Sequence, residues 1–537
     1  MAERQIAGRS ASPGFACGSV HRLAGGGRER VPTGDPAREA AALSDAIGRA
    51  MADIESLAEK TGGDAADMLA FQAALLGDDE LSRPAFDAVA AGASADKAWS
   101  TALSSEISGY LASDDEYFQA RSADLEDLRD RVLTILSGGE ADVVPPGAVV
   151  VGEDMPPSKF LSIDWHAGGA IVLAAGSKTS HVAMLARSRG VPMVVAAGPA
   201  IVSASGEALV DGAAGTVVLD PEPATRDSFE SRRLVEEAAL REAAAVLPAP
   251  AATRDGTTVT VLINVADPGE LKSVDPAHCD GIGLVRTEFL FHGRGSLPGE
   301  EAQFGVYRTI AEWAQGRPVT IRTLDAGGDK PIPGLTIDGE SNPFLGVRGI
   351  RLSLARPEVF RVQLRALLRA GVYGQVKVML PMVTVPGELE AARAMLVEEH
   401  DALVAAGRKV VMPPLGIMVE VPATALAVDR FDAAFYSIGS NDLTQYATAA
   451  GRDIGAVADL ADPLHPGVLG MIEHVAAYGA ASGLDVSLCG DAGGDPDVLP
   501  ALLEAGLRTV SVAPAALGRT KLAIRAIDLA SGAGDAA

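Results

Sequence analysis

The chain has 537 residues, with 45 Lys and Arg against 71 Asp and Glu, which gives a formal net charge of −26 at pH 7. This length predicts several domains, and the hydrophobic content of 48% is sufficient for packed cores, which excludes a wholly disordered chain. So acidic a protein is a poor candidate for binding nucleic acid or an anionic membrane surface, because both need a surplus of Lys and Arg.

The sequence gives no sign of a membrane-spanning or secreted protein. No apolar run approaches the roughly 18 residues of a membrane helix, and the first twenty residues lack the continuous apolar segment of a signal peptide. Cys17, Cys279 and Cys489 are odd in number and widely separated, so they form neither a disulfide framework nor a zinc site. We therefore expect a soluble cytoplasmic protein without membrane insertion.

The segment from about Asp35 to Ser137 is predicted to be helical, because apolar residues recur in it at three- and four-residue spacing. It contains 21 Asp and Glu against 8 Lys and Arg, so it carries half of the net negative charge of the chain. This acidity has two interpretations. The helices have ordinary solvated faces, or they form a docking surface for a basic partner.

A compact β/α unit is predicted from about Val143 to Asp220. Five short Val-rich segments separated by Gly, Pro and Asp turns predict strands, namely AVVVGEDM, GGAIVLAAG, VPMVVAAG, ALVDG and GTVVLD. One helical run, TSHVAMLARSRG, lies among them and ends at Gly190, a residue typical of helix C-termini. A charged helix and the linker LPAPAA follow, which predicts the start of another domain.

The remaining residues, from about Thr253 onward, alternate strand-like and helical segments. The strand-like segments are TVTVLIN, GIGLVRT, PVTIRTL, VKVMLP, LGIMVE, AFYSIG, DVSLCG and TVSVAP. Eight repeats of a strand followed by a helix in about 285 residues predict a (β/α)₈ barrel.

Polar side chains stand where six of the predicted barrel strands end. They are Asn264, Arg286, Arg322 with Asp325, Glu420, Asn441 with Asp442, and Cys489 with Asp491. The carboxyl ends of all strands share one rim of such a barrel, and a charge at the end of a buried strand needs a partner. The pattern therefore predicts a binding or catalytic site at this rim.

The charged residues of this rim indicate a metal ion and an anionic substrate. Glu420 and Asp442 follow neighbouring strands, and two carboxylates with further open positions suit Mg²⁺, which commonly takes water and phosphate oxygens as its other ligands. Arginine side chains match phosphate and carboxylate groups in two-point fashion. The predicted cations are Arg286, Arg322, Arg348, Arg452 and Lys330. Any one of the arginines alone could form an ordinary salt bridge, but the group predicts a substrate with phosphate and probable carboxylate groups.

Cys489 follows a predicted strand in the segment VSLCGD. A free thiol has a pKa near 8.5, so at neutral pH it is mostly protonated and can donate a proton. A buried free cysteine is also commonly inert packing, and its position alone leaves both interpretations open.

His181 lies at the predicted start of a helix, directly after the potential cap residues Thr179 and Ser180. A phosphate carried on this imidazole would meet free backbone N–H groups and the positive end of the helix dipole. Imidazole is a competent nucleophile at neutral pH, so a phosphohistidine is chemically sensible. A histidine at a helix start usually has no special role, and this alternative also stays open.

Seven motifs occur in an order typical of one enzyme family. They are GSKTSHVAMLARSRGVPMVV, GIGLVRTEFLF, RTLDAGGDK, NPFLGVRGIR, GIMVEVPA, YSIGSNDLTQY and LCGDAGGDP. With these motifs the chain resembles, over essentially its whole length, Enzyme I of the bacterial phosphoenolpyruvate:sugar phosphotransferase system. The resemblance implies a phosphotransferase that moves the phosphoryl group of phosphoenolpyruvate (PEP) to its own histidine and then to the phosphocarrier protein HPr, with release of pyruvate.

The resemblance also implies roles for individual residues. His181 would be phosphorylated at Nε2, and Cys489 would deliver a proton to the enolate carbon. Glu420 and Asp442 would hold Mg²⁺. The full substrate-binding set predicted here is Arg286, Arg322, Lys330, Arg348, Asn441, Asp442 and Arg452.

The predicted fold is a multidomain α/β protein. Residues 1–33 and 139–222 are predicted to form a swivelling β/α phosphohistidine domain, into which an all-helical HPr-binding subdomain, residues 34–138, is inserted. Residues 223–252 are predicted to be a linker helix, and residues 253–537 a PEP-binding (β/α)₈ barrel of the TIM type. The resemblance further implies a homodimer through the barrel, and the acidic helical segment agrees with a basic partner such as HPr.

The sequence also allows two alternative functions, a related enzyme and a non-catalytic protein. A pyruvate phosphate dikinase or PEP synthase shares the histidine and barrel motifs but needs an additional ATP-binding domain. The N-terminal part of this chain is too short and helical for that domain, without a Gly-rich nucleotide loop. A non-catalytic regulator with this fold would be expected to lose at least one of Glu420, Asp442, Arg286 or His181, and all four are present.

Overall fold

The computed structural model describes residues 3–23, 30–61, 63–111, 116–138, 143–178, 180–291, 297–328, 332–337, 339–451 and 454–530. The chain divides into two compact units, Met1–Val235 and Glu236–Ala537. None of the helices in these ranges is long and apolar enough to cross a membrane.

The first unit contains a mixed eight-stranded sheet. Its strands are β1 (Arg4–Ala7), β2 (Arg9–Ser12), β3 (Phe15–Arg22), β4 (Val149–Gly152), β5 (Ala170–Leu173), β6 (Met193–Val195), β7 (Glu207–Asp211) and β8 (Thr216–Leu219). They are arranged in the order β1-β8-β7-β3-β4-β5-β6-β2, and β3, β4, β5 and β6 are parallel neighbours. The five predicted Val-rich segments are all strands of this sheet, β4 to β8.

The sequence reasoning missed β1, β2 and β3 as strands. The short edge strands β1 and β2 have the sequences RQIA and RSAS, and β1 is almost wholly exposed. An edge strand of this kind carries no run of alternating apolar residues, so the periodic signal that reveals a half-buried strand is absent from it.

Five helices are inserted between β3 and β4, as the periodicity of the sequence predicts. They are α1 (Pro36–Thr61), α2 (Gly63–Leu76), α3 (Asp79–Ala90), α4 (Ala95–Leu111) and α5 (Glu116–Leu136). Their buried side chains, among them Trp99 and Leu128, share one core with Val150 and Ile171 of the sheet. The alternate strand residues belong to a second core on the opposite face, because successive side chains of a strand point to opposite faces.

Three further helices complete the first unit and lead out of it. They are α6 (Pro157–Ser162), α7 (His181–Ser188) and α8 (Pro223–Val246). The division between the two units falls within α8, inside the segment predicted to be the linker helix.

The second unit is a closed barrel of eight parallel strands. They are β10 (Thr258–Val265), β11 (Ile282–Val285), β12 (Pro318–Arg322), β13 (Gln375–Leu380), β14 (Leu415–Val419), β15 (Tyr436–Ile438), β16 (Val486–Leu488) and β17 (Thr509–Val512). Each pairs in parallel with the next, and β10 pairs with both β11 and β17, which closes the barrel. All eight predicted strand segments are therefore confirmed. A two-residue strand, β9 (Ala251–Ala252), adds an antiparallel pairing to β10.

Helices surround this barrel. They are α9 (Glu300–Trp313), α10 (Ile350–Ala355), α11 (Pro357–Ala370), α12 (Pro386–Ala405), α13 (Pro422–Leu426), α14 (Ser440–Thr448), α15 (Pro466–Ser482), α16 (Leu499–Glu504) and α17 (Leu517–Ala526). One continuous apolar core joins their inner faces to the outward side chains of the strands. The barrel thereby fixes the carboxyl ends of eight strands around one rim.

A buried polar cluster connects the helical insert to α6. Gln72 of α2 donates from Nε2 to Oδ1 of Asp124 at 3.0 Å, and Ser158 of α6 donates from Oγ to Oδ1 of Asp127 at 2.8 Å. Nη2 of Arg131 donates to the same Ser158 hydroxyl at 2.9 Å. Burial raises the pKa of Asp127, and the Ser158 hydroxyl and Arg131 partly offset this by stabilising its charged form. Ser158 is thus the bridge between the buried Asp127 and the half-buried Arg131.

Replacing this bridge tests its contribution to stability. Because Ser158→Ala leaves buried charged groups with fewer partners, we expect it to lower the free energy of unfolding by about 1–3 kcal/mol. The pKa of Asp127 is higher in the folded than in the unfolded protein. Stability is therefore lost as the pH rises from the unfolded-state pKa through the folded-state pKa, because the folded protein must then hold a buried charge. The hydroxyl relieves this cost, and the loss should therefore be larger at pH 8 than at pH 5. Urea unfolding measures both values.

The matched control is Ser162→Ala, at the exposed end of the same helix. It should change the free energy of unfolding by less than about 0.5 kcal/mol. An equal effect of the two substitutions would contradict the assigned role of Ser158.

Candidate active site

A cavity of about 300 Å³ opens at the carboxyl rim of the barrel. Six of the predicted site residues line it, namely Arg286, Arg322, Glu420, Asn441, Asp442 and Cys489. They come from five strand ends and the loops after them, so the barrel itself brings together residues that are up to about two hundred positions apart in sequence.

The other predicted site residues have different placements. Arg348 is completely buried and is not among the residues that line the cavity. His181 is the first residue of α7, in the first unit. Lys330 and Arg452 lie outside the described residues.

A fully buried carboxylate, Asp325, pairs with two arginines, Arg322 that lines the cavity and Arg348 that is completely buried. Its Oδ2 lies 3.0 Å from Nη1 of Arg322 and 3.0 Å from Nη2 of Arg348. Arg348 also places Nη1 3.4 Å from Oδ1 of Asp442. On the other side, Oε1 of Glu288 accepts hydrogen bonds from Nη2 of Arg322 at 3.1 Å and from the backbone N–H of Asp325 at 3.0 Å. Acidic and basic side chains therefore alternate along one buried series of ion pairs.

This alternation keeps both arginines charged. Burial disfavours a charged guanidinium, but Glu288 and Asp325 together raise the pKa of Arg322 above its usual range. Asp325 and Asp442 act in the same direction on the pKa of Arg348. The sequence reasoning did not include Glu288 in the site, although it stands two residues after Arg286 in the motif GIGLVRTEFLF.

Arg322 and Arg286 have guanidinium N–H donors that no side chain or backbone group among the described residues accepts. Nε of Arg322 is buried and has no hydrogen-bond partner among the described residues. The side chain of Arg286 lines the cavity, and within the described ranges it forms no ion pair or hydrogen bond. Such donors can bind the oxygens of an anionic ligand.

Glu420 and Asp442 form a pair of repelling carboxylates. Glu420 is 1% exposed, and its Oε1 accepts the backbone N–H of Met382 at 2.6 Å. Burial and the neighbouring Asp442 raise the pKa of Glu420. Met382 itself has φ of 58°, a left-handed conformation that few non-glycine residues adopt.

These two carboxylates fit a divalent cation of the magnesium type. No group of three or more His, Cys, Asp and Glu side chains with metal-binding geometry occurs in the described parts of the chain. A cation held here would therefore take its other ligands from water and from a bound anion, which is the usual arrangement for Mg²⁺. Its charge would also relieve the repulsion that raises the pKa of Glu420.

Cys489 lies directly after β16 and is 3% exposed. Its side chain belongs to a small apolar cluster that also contains Leu284, Met379, Met418 and Phe435. Burial raises the pKa of the Cys489 thiol. The thiol is therefore protonated at neutral pH, and because its side chain also lines the cavity, it can act as a proton donor there.

Asn441 couples two loops of the rim. It lies in the first turn of α14, and its Nδ2 donates to Oδ2 of Asp491 at 2.8 Å, while the backbone N–H of Asp491 donates to Oδ1 of Asn441 at 3.1 Å. Between these loops Gly490 approaches the start of α14 closely. A Cβ added to Gly490 would lie 1.8 Å from Oγ of Ser440 and 3.0 Å from Oδ1 of Asn441.

The comparisons with known proteins identify the family of the chain. Three family descriptions match the chain: "PEP-utilising enzyme, N-terminal" over residues 7–121, "PEP-utilising enzyme, mobile domain" over residues 144–215, and "PEP-utilising enzyme, PEP-binding domain" over residues 241–529. The chain belongs to this family of PEP-utilising enzymes.

Similar curated proteins narrow the class further. The chain is 37% identical to a phosphoenolpyruvate-protein phosphotransferase of Geobacillus stearothermophilus, over 97% of this chain and 94% of that protein. It is 35% identical to the protein of the same name from Bacillus subtilis (strain 168), over 95% of this chain and 92% of that protein. The predicted membership of the phosphoenolpyruvate-protein phosphotransferases, and with it the predicted enzyme class, is therefore confirmed.

One solved structure is also similar in part, an NMR solution structure of Enzyme I (nEIt). It covers 43% of this chain and 99% of its own, with 24% sequence identity and a TM-score of 0.36. The α/β fold class rests instead on the strand order and closed barrel described above.

The close approach at Gly490 gives a direct test of the rim geometry. Because a methyl group there must displace the start of α14, Gly490→Ala is expected to lower the rate of phosphoryl transfer from PEP by about 100-fold or more. Gly470→Ala, in α15 with no atom within 4 Å of the added Cβ, is the matched control and should retain the wild-type rate. Full activity of the Gly490 variant would contradict the described packing.

Proposed function

We propose that this protein transfers the phosphoryl group of PEP to His181 and from there to HPr, and releases pyruvate, as the first step of a sugar phosphotransferase system. The observation that carries the proposal is the set of residues that line the cavity of about 300 Å³ at the barrel rim. It combines two arginines with unused donors, a repelling carboxylate pair and a protonated thiol.

The cations of the rim bind the substrate in this proposal. PEP carries a phosphate and a carboxylate, and Arg286 and Arg322 offer guanidinium donors to these groups. Asn441 adds an amide that is held in place by Asp491. Arg348 lies beneath the cavity, where its contact with Asp442 supports a positioning role, while Lys330 and Arg452 stay predicted contacts of the substrate.

Glu420 and Asp442 hold Mg²⁺ in this proposal. A bound magnesium ion supplies positive charge that neutralises phosphate and enolate oxygens and lowers the barrier to phosphoryl transfer. The two carboxylates are suited to it because they are buried close together and because Glu420 is stabilised in one orientation by the N–H of Met382.

The transfer step forms one bond and breaks one bond. The imidazole of His181 attacks the phosphorus of PEP, the bond from phosphorus to the enol oxygen breaks, and the electron pair stays on that oxygen as an enolate. Cys489 then donates its thiol proton to the methylene carbon, which yields pyruvate. The thiol suits this step because burial keeps it protonated at neutral pH.

The start of α7 suits a phosphorylated histidine. Ser180 caps the helix, since its side chain accepts a hydrogen bond from the N–H of Ala183, and His181 is the first helical residue. A phosphoryl group on His181 would be near the free N–H groups and the positive end of the helix dipole.

Delivery to HPr completes the proposal. The acidic helices of residues 34–138 would attract a basic carrier, and the segment of residues 1–33 and 139–222 would swivel between PEP and HPr. The homodimer through the barrel of residues 253–537 and the cytoplasmic location, both implied by the resemblance, are part of the same proposal.

The proposal is tested by following the phosphoryl group itself. Wild-type protein with Mg²⁺ and ³²P-labelled PEP should take up acid-labile label and pass it to added HPr. His181→Ala should take up no label, because it lacks the imidazole that accepts the phosphoryl group in this proposal. The matched control His166→Ala, an exposed histidine of the same unit, should be labelled like the wild type. Acid-labile label on the His181 variant would overturn the assignment.

A further inference from the structure

Asn264 reaches from the end of β10 to the backbone of Cys489, across the neighbouring strand β17. Its Nδ2 donates to the backbone oxygen of Cys489 at 3.1 Å and to the backbone oxygen of Ser511 at 3.1 Å. The Oγ of Ser511 in turn donates to Oδ1 of Asn264 at 2.6 Å. Both N–H donors and the oxygen of this amide are therefore engaged, which fixes its orientation.

The contact takes the place of a strand-to-strand hydrogen bond. The pairing of β16 with β17 is restricted to Leu488 opposite Val510, so Cys489 lies just beyond the paired part of its strand. On the other side, the N–H of Cys489 donates to the backbone oxygen of Ile438 at 3.0 Å. Cys489 is thus held at its N–H by one neighbour and at its oxygen by the Asn264 side chain.

The space around this contact depends on a glycine. A Cβ added to Gly283 of β11 would lie 2.4 Å from Oγ of Ser511. The absence of a side chain at Gly283 therefore permits the Ser511 hydroxyl to reach Asn264, and the bracing of the amide involves three strands of the barrel.

We propose that Asn264 is a positioning residue for the protonation step, which holds the backbone of Cys489 so that its thiol is aimed at the enolate. This inference rests on the proposed function. The side chain of Cys489 is buried in an apolar cluster and its Sγ donates to the backbone oxygen of Ile438 at 3.6 Å, so the direction of the thiol depends on the position of its backbone relative to the neighbouring strands. General-acid catalysis requires the donor atom to be within hydrogen-bond reach of its target, and small displacements of a reacting group lower rates strongly.

A purely structural role of Asn264 would have different consequences. It would lower the fraction of folded protein without changing the chemistry of each folded molecule. A positioning role slows the proton transfer itself, which lowers kcat, leaves the KM for PEP nearly unchanged and increases the solvent deuterium isotope effect on kcat.

The test uses Asn264→Asp in the full-length protein, because aspartate has nearly the shape of asparagine but cannot donate to the two backbone oxygens. Pyruvate formation is measured with Mg²⁺, PEP and excess HPr, in H₂O and D₂O, per folded molecule. We expect kcat to fall by about 10- to 100-fold, with KM for PEP within about 2-fold of the wild type and a larger solvent isotope effect. Cys489→Ala defines the effect of losing the thiol altogether.

A second variant and a control keep the test decisive. Ser511→Ala removes only the group that braces the amide, so it should shift kcat and the isotope effect in the same direction by a smaller factor. Gln303→Glu changes a completely buried amide of α9 to a carboxylate in the same way, and should lower stability without a change in the isotope effect.

The outcomes are distinguishable. Wild-type kcat and isotope effect per folded molecule in both the Asn264 and the Ser511 variant would overturn this inference and leave the proposed function intact. A wild-type protein that forms no pyruvate from PEP would overturn the proposed function, and this inference with it.

Discussion

The active site depends on the two ion pairs that the Asp325 carboxylate forms with Arg322 and Arg348. Asp325 has no exposure to water. A lone buried arginine would be strongly unfavourable, and two close to one another would also repel. Asp325 stabilises both, and Glu288 and Asp442 extend the alternation at its two ends. The rim therefore holds two charged guanidinium groups in fixed positions before any substrate arrives, a preorganisation that needs no rearrangement during the reaction.

The lining of the cavity combines two kinds of side chain, and the proposed function gives each its own task. The charged groups would bind an anion and a cation. Cys489, in contrast, is packed among apolar side chains, and burial keeps its thiol protonated. Cys489 lies just after β16, and its backbone is held by Ile438 of β15 and by the side chain of Asn264 of β10, so neighbouring strands fix the position of the proposed proton donor. A (β/α)₈ barrel suits this combination because neighbouring strand ends can differ in chemistry while their spacing stays fixed.

Most of the barrel could be predicted from the sequence, because each of its strands is a short apolar run that ends in turn residues, and six of these runs end in a polar group. The cavity residues followed from the same rule. The position of Arg348 did not, since strand spacing cannot distinguish an arginine that lines a cavity from one that lies beneath it, paired with Asp325. Glu288 was missed for a similar reason, because its importance comes from a contact with Arg322 that is remote in sequence. The edge strands β1 and β2 lacked any apolar alternation.

The central claim is that one cavity holds both the metal ion and PEP, with the carboxylate pair on the cation and the arginines on the anion. The most direct measurement is a crystal structure of the His181→Ala variant with Mn²⁺ and PEP, with the metal located by its anomalous scattering. The account predicts an anomalous peak in contact with Glu420 and Asp442, and the phosphate of PEP in contact with Arg286 and Arg322. A metal bound elsewhere, or PEP bound away from both arginines, would contradict it.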